Sequence, residues 1–347
     1  MITAAIDAEH TRQTSAGTAR ASRALVKALS ERDDVRPIVV GGGPVLERGT
    51  LSKRITTAKQ DFLWYPFLGR RKAARLEADV YHCPTPRAPV TRGKPPLVVT
   101  VHDLVPVLFP ETMTPWSRFY TRATLTRVLD AADMIVTPSA DTANDLTALL
   151  GISQDRIRVV WNGVDSIFFS SLPAASQETA PYILFVGTPE PRKNLPRLVE
   201  AVTMLRRRGL PHRLVVVGGG GWGSVNLVSD VVDLVGRVTD ETLLALYQNA
   251  ACLALPSLHE GFGLPAAEAM AAGAPVVAGA RGALPEIIGN AGVLVDPENV
   301  DAIAAGIESA ISDRDRLISA GREQAALFTW QRAAESMTAV YSGLVNR

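Results

Sequence analysis

Glu260 and Glu268 stand seven residues apart, with Gly261-Phe262-Gly263-Leu264-Pro265 between them. The run Ala250 to Leu255 just before is short, apolar and uncharged, so it reads as a buried parallel strand. Pro265 stands where a helix can begin, since a first-turn proline gives up no hydrogen bond. Gly273, followed by Pro275, closes that helix. Gly261 and Gly263 therefore occupy a strand-to-helix turn at the carboxyl end of a strand, where an open α/β sheet binds its ligands. Bare N–H groups and the helix dipole favour an anion there. A carboxylate beside an anion site needs neutral work, such as accepting hydrogen bonds from hydroxyls.

Two other places carry reactive residue types. Tyr182–Val186 reads as a strand that runs into Gly187-Thr188-Pro189-Glu190-Pro191-Arg192-Lys193-Asn194. Two adjacent cations in such a loop suit a diphosphate, Arg192 as a planar fork and Lys193 as a point charge. Leu97 to Val101 reads as a buried strand that delivers His102 and Asp103 at its carboxyl end. Cys83 and Cys252 lie far apart without metal-ligand spacing, and no acidic metal pair is read, so no metal is expected.

The string His259–Val277 resembles the E-x7-E signature of the retaining GT-B glycosyltransferases of family 4, the group 1 transferases. The resemblance implies two Rossmann-like, doubly wound α/β domains facing across a cleft. The second would hold a nucleotide diphosphate sugar and the first much of the acceptor pocket. It implies that Glu260 lies near the donor sugar, that Glu268 holds the ribose, and that Arg192 and Lys193 contact the diphosphate from the loop opened by Gly187. The turn Gly261-Phe262-Gly263-Leu264 would serve the donor as well, with the backbone around Val238 against the base. "HDL-x-P" at His102 to Pro106 is similar to bacterial mannosyltransferases. That likeness puts His102 in the cleft near the donor sugar, with Asp103 close by, and makes GDP-mannose the first donor. A UDP- or dTDP-sugar stays open.

Catalytic roles thus fall to His102 and Glu260, with the leaving diphosphate stabilised by Arg192, Lys193 and the N–H groups at Gly263–Leu264. No cofactor is expected. The stretch from Ser15 to Arg20 is similar to a G-x-G-R-Y-like turn, keeping Gly17 and Arg20 but holding Ala19 and Ala21. A phosphate or acceptor role there stands beside a plain turn into a helix. Ala283-Leu284-Pro285-Glu286 resembles an "S-L-P-E" segment with alanine first. A non-catalytic nucleotide-sugar-binding protein is the rival reading from another class. A dinucleotide oxidoreductase is disfavoured by the missing G-x-G-x-x-G after the first strand.

These residues need a frame. A chain of 347 residues suggests two domains. Hydrophobic residues make up 47% and the net charge is +1, which predicts large cores and excludes a nucleic-acid partner. The N-terminal half alternates strand and helix patterns, the rhythm of a doubly wound sheet. The expected division is 1–170, a linker over 170–181, a second domain over 181–329, and a last helix from 330 to 347 that packs back on the first domain. Unpaired cysteines, no basic leader and no membrane-length apolar run predict a cytoplasmic protein, at most peripheral on the inner face of the plasma membrane. The acceptor is expected to be a glycan, a lipid-linked molecule or a small molecule. Asp61 to Leu68 is rich in aromatics and meets Arg70, Arg71, Lys72 and Arg75. Docking on anionic lipid competes with core aromatics beside a solvated helix face, and the second is preferred because both are commoner fates.

Overall fold

Short uncharged runs of Val, Ile, Leu and Ala become strands, and each is followed by a helix that carries the chain back for the next parallel pairing. The structure is a computed structural model and describes residues 1–12, 17–42, 51–113, 115–170, 181–219 and 230–346. Ser15 and Ala16, Gly43 and Pro44, linker residues 171–180, Gly220 to Trp222, and Arg347 lie outside the described residues.

The chain divides into two units: 1–163 with 330–347, and 164–329. In the first, β1 (Ile2–Asp7), β2 (Val35–Val40), β3 (Val80–Cys83), β4 (Leu97–Thr100), β5 (Met134–Thr137) and β6 (Ile157–Val159) form a parallel sheet in the order β2-β1-β3-β4-β5-β6. In the second, the order is β12-β11-β10-β7-β8-β9, from β7 (Tyr182–Val186), β8 (Arg213–Val217), β9 (Val232–Gly236), β10 (Cys252–Leu255), β11 (Val276–Gly279) and β12 (Val293–Val295). Each sheet reverses its winding once, the first between β1 and β3 and the second between β7 and β10. Ligands of open α/β sheets bind outside the carboxyl ends of the strands at such a reversal. Both units therefore have the doubly wound form expected of GT-B domains.

Two boundaries differ from expectation. Ala250 is not yet strand, because its N–H still bonds the carbonyls of Leu246 and Tyr247 at a helix end. The first unit stops at Gly163 rather than near Ser170: Val164 and Phe168 are buried in the second core, and the Val164 N–H donates to the Phe328 carbonyl. The helix Trp330–Val345 belongs to the first unit, burying Ala333, Ala334, Met337 and Tyr341 with Ala4, Ile6, Val80 and Val98.

The aromatic stretch departs most. Only Tyr65 of its rings is fully inside, while Phe62, Leu63, Phe67 and Leu68 are exposed. The segment Gln60–Leu68 winds with the wider π repeat, so Gln60, Asp61 and Tyr65 share the inner face and ordinary helical spacing misassigns the rest. Nor is the basic run simply solvated. Arg70 is buried and donates to the carbonyls of Thr91, Gly93 and Pro95. No helix among the described residues is long and apolar enough to cross a membrane.

Candidate functional site

Because β7 and β10 pair directly, with Ile183 beside Cys252 and Leu184 beside Leu253, the segments leaving their carboxyl ends lie next to each other. The loop after β7 is stitched to the turn after β10 by the Leu258 N–H donating to the Arg192 carbonyl at 2.7 Å. Asn194, in left-handed conformation at φ 57°, donates its amide to the Pro256 and Pro297 carbonyls at 3.0 and 2.5 Å. Gly187, at φ 155°, passes beneath Lys193, whose Cε lies 3.5 Å from where a Cβ would stand. The loop is thus rigid before any ligand arrives.

That rigidity brings three predicted residues into contact. Glu260 accepts from Arg192 Nη1 at 3.1 Å and from Lys193 Nζ, and all three lie largely out of solvent. Buried Ser257 donates its hydroxyl to Glu260 Oε1 at 2.8 Å. Burial by itself would raise this carboxyl. The Lys193 and Arg192 charges, with hydrogen bonds from Lys193 and Ser257, outweigh it and hold the pKa down at about 2. Glu260 is therefore a fixed carboxylate at neutral pH and not a proton donor. Arg192 reaches further, donating to the His259 carbonyl at 3.1 Å and to Glu190 Oε2 at 3.0 Å. Two cations facing two carboxylates leave this cluster close to neutral overall.

The turn itself is built as the glycines and prolines suggested. Gly263 caps the helix Leu264–Ala272 at φ 90°, and Gly273 ends it at φ 84°. A Cβ on Gly263 would also stand 2.6 Å from Leu284 Cδ2, so a side chain is excluded twice. Pro265 has no N–H, and those of Ala266 and Ala267 return to the Gly263 carbonyl. The N–H groups of Gly263 and Leu264 have no partner among the described residues and suit an anion. Phe262 is buried edge-on against Phe328, with ring centroids 5.5 Å apart, and fastens the turn to the core. Glu268 lies inside the helix, 5% exposed, and accepts from the buried Tyr247 hydroxyl at 3.1 Å. Gly261 is buried in the turn, while Val238 is half-buried after β9. Glu286 sits in the first turn of the short helix Leu284–Ile288. Ser257 and Asn194 were not singled out from sequence. Only their places, at a strand end and at a loop-to-helix junction, hinted at them.

The first unit has its own cluster at the carboxyl ends of β1, β3 and β4. His102 follows β4 and shares its Nε2 with the Pro84 carbonyl at 3.0 Å. Burial lowers its pKa, against the opposing pull of Asp103 and the Pro84 carbonyl, so the ring is neutral. A proton on Nε2 makes Nδ1 the acceptor nitrogen. Asp103 accepts from the Val105 N–H at 3.1 Å and shapes the turn that carries His102. His82, fully buried, spans the Tyr341 hydroxyl and Thr100 Oγ1 at 2.8 Å each. His10 accepts or donates at Nε2 with Ser22 Oγ at 3.1 Å, while its buried Nδ1 has no partner among the described residues. Its pKa is lowered to about 4, by burial first, with the Arg23 charge acting in the same direction. His10 lines a cavity of about 250 Å³ whose walls also carry Thr18, Thr85, Arg87, Ser117 and Tyr120. Gly17 opens the helix Gly17–Ser30 in open space, and Arg20 is half-buried on it. Among the described residues, nothing in the packing requires a glycine at 17.

His102→Ala is expected, on the role that the resemblance implies for this residue beside the reacting sugar, to lower saturated turnover well beyond its effect on donor affinity. Steady-state kinetics beside a donor titration check this. A change within about twofold, far below the hundredfold and more of acid–base groups, would leave His102 a packing residue.

With the geometry established, comparison with known proteins identifies the frame. The model of the glycosyl transferases group 1 matches residues 170–324, and that of glycosyltransferase family 4 matches residues 15–167. The O-antigen chain mannosyltransferase B of Escherichia coli is 32% identical over 264 residues, which is 70% of this chain and 69% of the relative. The MMP alpha-(1->4)-mannosyltransferase of Mycolicibacterium hassiacum is 34% identical over 234 residues, 64% of this chain and 56% of the relative. Among solved structures, the sucrose-phosphate synthase of Thermosynechococcus elongatus superposes with a TM-score of 0.77 at 22% identity, covering 100% of both chains. The two family models together account for both doubly wound units, and the chain belongs to the group 1, family 4 glycosyltransferases.

Proposed function

We propose that the protein is a retaining hexosyltransferase that moves mannose from GDP-mannose to a hydroxyl of a glycan, glycolipid or small-molecule acceptor. The carrying observation is Glu260, held as a carboxylate between Arg192 and Lys193 just before the turn that bears the N–H groups of Gly263 and Leu264. A nucleotide diphosphate sugar supplies what this arrangement is built to meet. Its diphosphate offers oxygens to two cations and two N–H donors. Its anomeric carbon gains positive charge as the phosphate leaves, and a carboxylate answers that charge. The bond from the anomeric carbon to the phosphate oxygen breaks while the bond to the acceptor oxygen forms on the same face. The acceptor proton passes to the departing diphosphate. Protein cations do the work that a metal would do elsewhere, so the reaction proceeds without one. Mannose as the sugar is supported by the two mannosyltransferase relatives and by the residues from His102 to Pro106.

The acceptor reading rests on the cavity of about 250 Å³ in the first unit. Its wall hydroxyls, on Thr18, Thr85, Ser117 and Tyr120, suit a polyhydroxylated ring. The Arg87 guanidinium there is already neutralised by the buried carboxylate of Asp61 at 2.5 Å. A neutral sugar fits this wall better than a phosphorylated one.

Thermal unfolding with GDP, UDP and dTDP tests the donor. GDP at about a hundred times its dissociation constant is expected to stabilise by about 2.7 kcal/mol, and the same shift in excess chelator supports metal independence. Stabilisation by UDP or dTDP alone would move the donor assignment. Activity lost in chelator and restored by Mg²⁺ or Mn²⁺ would overturn the metal-free mechanism.

A further inference from the structure

The exposed aromatics of the first unit have no part in the sites described above. Phe62 is 60% exposed, Phe67 52%, Trp116 42% and Phe119 65%. Three of them run together across two segments: ring centroids are 6.0 Å apart between Phe62 and Trp116, and 6.0 Å between Trp116 and Phe119. Leu63 and Leu68 extend the same exposed apolar character along Gln60–Leu68. Contiguous apolar surface of this kind marks a contact.

The display is held in place. Buried Asp61, next to Phe62 in the chain, accepts from Trp116 Nε1 at 3.0 Å and from Arg87 Nη1 at 2.5 Å. The Arg87 guanidinium in turn lies 5.0 Å from the Tyr120 ring, on the helix Pro115–Ala131 that carries Trp116 and Phe119. One buried carboxylate thus locks both aromatic segments together.

Charge names the partner. Leu68, Arg71, Lys72 and Arg75 follow at helical spacing, so the exposed cations continue the face on which Leu68 lies. Arg118 and Arg122 flank Phe119 and are exposed too. The exposed acids nearest in sequence, Glu77, Asp79, Glu111 and Asp130, are fewer and stand at the margins of these segments. Aromatic rings set among Lys and Arg are what the headgroup boundary of an anionic bilayer takes up, rings at the acyl edge and cations at the phosphates. A second copy of the chain would bring like charge against like charge in a symmetric contact.

We propose that this face, Phe62, Phe67, Trp116 and Phe119 with Arg71, Lys72, Arg75, Arg118 and Arg122, docks on the surface of an anionic lipid bilayer. Flotation of the full chain with vesicles of equimolar phosphatidylglycerol and phosphatidylcholine, beside phosphatidylcholine alone, tests it. Binding to the anionic vesicles is expected, weakened by salt, with about a fivefold loss for each of Arg71, Lys72 or Arg122 changed to Gln. The Phe62→Ser/Phe119→Ser variant is expected to lose about tenfold or more, with the unfolding midpoint kept as the check on folding. Equal binding to both vesicle types, no flotation, or variants that float like the parent would overturn the proposal. A concentration-dependent dimer abolished by the double variant would assign the face to a second copy and overturn it as well.

Discussion

Glu260→Gln is expected to lower saturated turnover by about a hundredfold or more while nucleoside diphosphate binding is unchanged or tightened. The substitution keeps the shape and the acceptor oxygen but removes the charge. In the free protein that charge is shared between Arg192 Nη1 and Lys193 Nζ, so Glu260 competes with an incoming diphosphate for the same two cations. Removing it frees them for the ligand. On the mechanism proposed above, the reaction loses the carboxylate that answers positive charge on the sugar, a charge that exists only as the bond breaks. Glu268 provides the contrast. Its carboxylate lies inside the helix, tied to the Tyr247 hydroxyl. Glu268→Gln should weaken donor and bare diphosphate alike and leave saturated turnover mostly intact, the pattern of uniform binding. Isothermal titration with nucleoside diphosphate, together with saturated rates, separates the two. Parental turnover in Glu260→Gln would return Glu260 to a structural ion pair.

How much of this was written in the sequence depends on the kind of signal. The turn at residues 261–265 was legible because backbone conformation needs particular residues: Gly263 and Gly273 hold positive φ, and Pro265 starts a helix. The strands were legible because uncharged runs must be buried on both faces. Arg192, Lys193 and Glu260 could be nominated separately, but their mutual contact comes from the pairing of β7 with β10, whose first residues are some seventy positions apart in the chain. No local pattern encodes a long-range pairing. The same holds for Ser257 and Asn194, ordinary polar residues until the fold brings Glu260 and the Pro256 carbonyl to them. The aromatic stretch went the other way. Its composition suggested core, but the π repeat turns Phe62 and Phe67 outward, and burial periods of 3.6 do not see that.

Lys193→Met should reverse the direction in which the second unit responds to acid. In the parent, Glu260 has a folded pKa of about 2, below its ordinary carboxyl value, so its contribution to stability is complete above about pH 4.5 and is lost as pH falls toward 2. Lys193 supplies the largest part of that lowering, against the upward push of burial. Without Lys193 the buried carboxylate keeps only Arg192 and Ser257. Leaving it half-compensated costs about 3–5 kcal/mol at neutral pH, the usual loss when one partner of a buried pair is removed. Burial then raises the carboxyl, so the folded state takes up a proton more readily than the unfolded chain does. Mild acidification should therefore restore part of the lost stability in the variant through Glu260, a gain that the same site does not give the parent. Diphosphate affinity should fall by about 1.5–3 kcal/mol, the worth of a hydrogen bond to a charged group. Denaturant unfolding at neutral and mildly acidic pH, with a nucleoside diphosphate titration at each, measures both effects. A variant that follows the parent's pH slope, or binds the diphosphate as the parent does, would show that Lys193 neither holds Glu260 ionised nor meets the donor.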